Sequence, residues 1–128
     1  MNVLAVGDDA RDLARLTTTL ECEGYRTTEA RSFEFARQLL RERRFDLLIT
    51  KLRLGEYNGL HLVLHSRMFS PTTASIIVAD APEDVRELEA VAVDAGVVVA
   101  PTEPDHLRAV VASALADRLL RATPSTHA

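Results

Sequence analysis

Five short apolar runs alternate along this chain with helix-length amphipathic stretches. The runs are Asn2 to Val6, Tyr25 to Ala30, Phe45 to Thr50, Ser75 to Ala79 and Val97 to Val99. Three of them contain consecutive apolar positions, Val3-Leu4-Ala5-Val6, Leu47-Leu48-Ile49 and Ile76-Ile77-Val78. Successive strand side chains point to opposite faces, so an unbroken apolar run belongs to a strand covered on both sides. The intervening stretches follow the helical period instead. Leu13, Leu16 and Leu20 share a face over about Ala10 to Cys22, and Ala36, Leu39 and Leu40 over about Phe33 to Arg43, with Ser32 placed to cap. A third helix is expected after Asn58-Gly59, burying Leu60, Val63, Leu64 and Met68. A fourth opens at Pro82 with Val85, Leu88 and Ala92 inward. A fifth opens at Pro104 with Leu107, Val110, Val111, Ala114 and Leu115 inward. Gly24 and Gly96 stand where helices commonly end in glycine.

Five strand–helix units in succession predict an α/β fold, a parallel five-stranded sheet sandwiched between helices. One domain is expected over residues 1–120, followed by a flexible tail, 121–128, without core-forming content. In such sheets the functional crevice lies beyond the carboxyl ends of the strands, where the strand order switches. The positions to read are therefore Gly7-Asp8-Asp9, Lys51, Asp80 and Ala100-Pro101.

Composition narrows the classes. The net charge of -4 gives no basic excess for a nucleic-acid binder. No apolar run approaches the ~18 residues of a membrane span, and the single cysteine, Cys22, fits a reducing cytoplasm. Cys22 is expected to act as a small, partly buried hydrophobe. His61 and His65, four apart on the third helix, have a metal-compatible spacing but no third ligand, and both are expected to face solvent. Arg41, Arg43 and Arg44 read as a solvated helix end. Gly7 alone is not a glycine-rich phosphate cradle. Among the fifteen basic residues Lys51 is the one lysine.

At this point the chain resembles the receiver domain of two-component response regulators. The resemblance rests on Asp8-Asp9, on Phe45-Asp46-Leu47-Leu48-Ile49-Thr50 leading into Leu52-Arg53-Leu54, on Tyr57-Asn58-Gly59-Leu60, on Ser75-Ile76-Ile77-Val78 and on Pro101. It implies a flavodoxin-like (CheY-like) order of strands. It also implies a reaction: a carboxylate after the third strand accepts a phosphoryl group, and an acidic pair after the first holds Mg²⁺. A hydroxyl after the fourth strand and a lysine after the fifth contact the acyl phosphate.

By that resemblance this chain keeps only the acidic pair, Asp8 and Asp9. Lys51 stands at the phosphoacceptor position, Asp80 at the hydroxyl position and Ala100 at the lysine position, and the switch aromatic is missing among Val97, Val98 and Val99. An ammonium cannot accept a phosphoryl group as an acyl phosphate. The expectation is a degenerate receiver, not an enzyme, acting in the cytoplasm as a phosphorylation-independent interaction module. Its partner would be a second copy or another signalling protein, docked on a face that includes Ala109, Ala112, Ala116 and Leu120. No cofactor is expected, and any Mg²⁺ would be held by Asp8 and Asp9. Lys51 is expected to bring its ammonium among Asp8, Asp9 and Asp80 in place of the metal. The alternatives are a ligand-binding or enzymatic flavodoxin-like protein, and a receiver phosphorylated at an unusual site.

Overall fold

The computed structural model describes residues 1–79, 86, 98–100 and 104–122. Five strands form one parallel sheet: β1 (Asn2–Val6), β2 (Arg26–Ala30), β3 (Leu47–Lys51), β6 (Ala74–Val78) and β7 (Val98–Ala100), in the order β2-β1-β3-β6-β7. Among the described residues four helices connect or follow them: α1 (Ala10–Cys22), α2 (Phe33–Glu42), α3 (Gly59–Phe69) and α4 (Pro104–Ala122). Apart from Arg86, which is helical, the predicted helix from Pro82, with Gly96 and Val97, lies outside the described residues, as do Asp80, Pro101 and the tail from Thr123. The last helix, α4, runs to Ala122, past the expected boundary at residue 120.

The sheet divides the core in two, and the strands supply both halves alternately. Leu4, Val6, Leu48 and Ile77 face one side with Leu39, Leu40, Leu62 and Val63 of α2 and α3. Val3, Ala5, Leu47, Ile49, Ile76 and Val78 face the other with Leu13, Leu16, Leu20, Leu107 and Val111 of α1 and α4. This is why the central strands are apolar without alternation: each is covered on both faces. Local signals set the ends of the helices. The hydroxyl of Ser32 accepts the Phe35 N–H at 3.2 Å, and the side chain of Asn58 accepts the Leu60 N–H at 2.6 Å. Gly24 leaves α1 with φ at +88°, the left-handed conformation in which glycine has no Cβ penalty.

Helix α3 departs from its predicted packing. It buries Gly59, Leu62, Val63 and Ser66, whereas Leu64 and Met68 are 45% and 80% exposed and Leu60 is half-buried. Leu60, Leu62, Val63, Leu64, Met68 and Phe69 put apolar groups nearly all round this helix, so periodicity cannot pick its inner face. A close backbone approach picks it instead. A Cβ on Gly59 would run into the Lys51 carbonyl oxygen, and the Gly59 N–H donates to the Leu52 carbonyl at 2.6 Å. The loop between β3 and α3 also folds into a small hairpin, β4 (Arg53–Leu54) and β5 (Tyr57–Asn58), turning at Gly55 with φ of +61°.

Candidate functional site

The parallel register brings Val6, Thr50 and Ile77 level, with Lys51 beside Val78 one residue further on. Three strands therefore stop together beneath the start of α1, and β1 lies at the point where the strand order turns back. The crevice above them is a cavity of about 240 Å³ whose lining includes Gly7, Asp8, Asp9, Asp12, Lys51 and Arg53. A second cavity of about 210 Å³ adjoins it toward Pro104 and Leu107, sharing Asp12, Leu16, Lys51 and Val78.

Asp8 is exposed. Asp9 is the N-cap of α1, and its Oδ1 accepts the backbone N–H groups of Arg11 and Asp12, each at 2.9 Å. The Asp12 N–H above all, helped by the Arg11 N–H and the charges of Arg11 and Arg31, holds this carboxyl below the usual range against an opposing desolvation. Lys51 ends β3 with a side chain only 17% exposed. Its stem lies over Gly7, where an added Cβ would stand 3.4 Å from the Lys51 Cγ. Its Nζ lies 4.0 Å from Oδ2 of Asp12, a carboxylate half-exposed on the first turn of α1. Asp12 was not among the residues singled out from sequence. It lies three residues beyond Asp9, so a single helical turn returns it to the same crevice.

The other candidates lie beside a strand of the crevice, away from it, or outside the described residues. Ala100 pairs with Val78 across the β6–β7 ladder, and Asp80 lies beyond the described residues. Ala109, Ala112, Ala116 and Leu120 are all exposed on α4. Cys22 is exposed rather than partly buried, because it ends α1 just past the last inward position, Leu20. His61 is exposed, but His65 is half-buried, with its ring 4.6 Å from that of Phe69. No cluster of three His, Cys, Asp or Glu side chains able to hold a metal occurs among the described residues.

The environment of His65 has a pH consequence. Burial pushes its imidazole below the ordinary value of about 6.5, and the Arg41 and Arg37 guanidiniums of α2 push the same way. Its neutral form is therefore the one the fold prefers. That stability is fully present above about pH 6.5 and is lost as the pH falls through the depressed folded value. His65→Gln should flatten this part of the profile in urea melts taken across the range, and a parallel profile in both proteins would refute the assignment.

The Response regulator receiver domain family matches residues 3–112. The chain belongs to this family. As a receiver domain it is a module of two-component signalling. Of the curated proteins, the alginate biosynthesis transcriptional regulatory protein AlgB of Pseudomonas aeruginosa is 38% identical over 123 residues, covering 94% of this chain and 27% of that protein. The transcriptional regulatory protein ZraR of Klebsiella oxytoca is 27% identical over 99% of this chain and 29% of its own length. The receiver thus spans little more than a quarter of the curated relatives it matches. Among solved structures, a putative response regulator from Chloroflexus aurantiacus superposes with a TM-score of 0.79 at 27% identity, covering 90% of this chain and 97% of that one. The signal receiver domain of an HD domain-containing protein from Pseudomonas fluorescens gives 0.82 at 23% identity, covering 93% and 97%.

A receiver's Mg²⁺ needs hard oxygen donors converging on one point. Here an ammonium-bearing side chain ends β3, and Oδ1 of Asp9 is committed to the two N–H groups of α1. This donor set does not suit a divalent cation.

Proposed function

We propose that this receiver domain is a phosphorylation-independent, non-catalytic protein-interaction module, working in the cytoplasm without a bound metal. The observation that carries the reading is the position of Lys51. Its ammonium lies within the crevice beside Asp12, at the strand end where the family resemblance calls for a nucleophilic carboxylate. The curated relatives are transcriptional regulators, so a receiver of this kind would dock an output domain, a second receiver or another signalling protein. The exposed stripe Ala109, Ala112, Ala116 and Leu120 allows close helix approach and is the face assigned to that partner.

Incubation with a small phosphodonor and Mg²⁺, followed by intact-mass measurement, should leave the mass unchanged. A gain of one phosphoryl group that hydroxylamine removes would overturn the reading.

A further inference from the structure

The end of the sheet opposite the crevice carries a separate cavity of about 560 Å³, between the ends of α2 and α3 and the beginning of β3. Four arginines line it, Arg41, Arg43, Arg44 and Arg118, against the carboxylates of Glu42 and Asp46. Four positive charges against two negative leave a formal excess of two.

Both carboxylates are already engaged. Oδ2 of Asp46 accepts the Asn2 N–H at 2.7 Å, and Oδ1 takes the Arg118 Nη2 at 3.0 Å. Oε1 of Glu42 accepts from the Gln38 amide at 3.1 Å. The Arg41 and Arg43 guanidiniums sit over the Phe69 and Phe45 rings, at 5.4 and 5.3 Å from the centroids. Stacking restrains each planar group while its in-plane N–H edge stays available for hydrogen bonding.

Arginines late in α2 suit the negative end of a helix dipole, which accounts for some of this pattern. It does not account for Arg118, which comes from another element. The Nε of Arg118 is buried and has no hydrogen-bond partner among the described residues. That atom is closed to solvent, so an anion entering the cavity would meet first the guanidiniums of Arg41, Arg43 and Arg44, exposed residues of its lining.

We propose that this cavity binds a small, multiply charged phosphate anion, independently of the crevice. Guanidinium forks match phosphate oxygens in a bidentate manner, and a volume of about 560 Å³ lies within the ~300–1,000 Å³ of small-molecule sites. The phosphate belongs to an inorganic ion or to a nucleotide, and Phe69 at the cavity lining reports on which.

The test is a titration of the ¹⁵N-labelled chain with pyrophosphate and, separately, with metal-free ATP, at low salt. Backbone amides of residues 40–46 and of Phe69, Ser70 and Thr72 should shift, while those of Asp8, Asp9 and Lys51 stay still. Arg43→Gln and Arg44→Gln should each weaken binding about tenfold. Arg118→Met should weaken it further. Because Arg118 also holds Asp46, the Arg43→Gln, Arg44→Gln double variant carries the test if Arg118→Met melts early. Equal affinity for the two probes assigns the site to inorganic phosphate, and tighter ATP with shifts at Phe69 assigns it to nucleotides. The proposal fails if millimolar pyrophosphate moves nothing, if the shifts centre on the crevice, if sodium chloride reproduces them, or if the double variant binds undiminished.

Discussion

Gly59→Ala is expected to cost about 3 kcal/mol, lowering the melting temperature by about 10 °C. The new methyl would collide with the Lys51 carbonyl oxygen and lie 3.1 Å from the Thr50 Cγ2, so the neighbour that must yield includes strand backbone. Moving it away would stretch the Gly59–Leu52 hydrogen bond and withdraw α3 from the end of β3. Gly7→Ala is the informative comparison. Its methyl would meet the flexible Lys51 stem at 3.4 Å, so a loss of less than about 1 kcal/mol is expected there. Urea melts of the two variants check the order, and a Gly59→Ala protein as stable as the parent would mean that the approach of α3 to β3 is misdescribed. The close approach also bears on function, because the residue whose carbonyl Gly59 crowds is the one that sends an ammonium into the crevice.

Lys51→Met keeps much of the stem over Gly7 and removes the charge. The Lys51–Asp12 pair is 4.0 Å apart and half-open to solvent through Asp12, so screening discounts its Coulomb energy heavily. A loss of about 1 kcal/mol or less is expected, to be measured by a double-mutant cycle with Asp12→Asn. The larger effect is electrostatic. Asp8, Asp9 and Asp12 line one cavity, and without the ammonium they would attract a divalent cation about tenfold more strongly than in the parent. A planar guanidinium would not substitute well for the compact lysine charge, so Lys51→Arg should recover the pairing only in part.

Most of the frame was legible in the chain because burial on two faces leaves a plain mark. Leu47-Leu48-Ile49 and Ile76-Ile77-Val78 are fully or almost fully buried strands, as consecutive apolar residues imply. Helices α1 and α2 bury Leu13, Leu16 and Leu20, and Ala36, Leu39 and Leu40, the faces their periods give. In α3 the same reasoning fails, since apolar side chains on every side carry no phase and Gly59 against Lys51 decides the rotation. The β4–β5 hairpin was invisible because two-residue strands are too short to show a period. His65 was misplaced for the same reason as Leu64, lying on a helix whose inner face the pattern could not identify. In the crevice, Asp8, Asp9 and Lys51 were found because they lie at a strand end or within three residues of one. Asp12 was missed because it reaches the same cavity from within α1, a turn later than that rule looks.

We propose that the Lys51 ammonium takes the role of a metal in the crevice, leaving the domain in one state whatever the cation supply. Any ligand that binds the folded chain alone must raise its melting temperature. The decisive measurement is the thermal melt of the parent in millimolar Mg²⁺ and in chelator, with Lys51→Met run alongside. The account predicts superimposable melts for the parent and a Mg²⁺-dependent rise for Lys51→Met. A parent clearly stabilised by Mg²⁺, or a Lys51→Met protein indifferent to it, would contradict the claim.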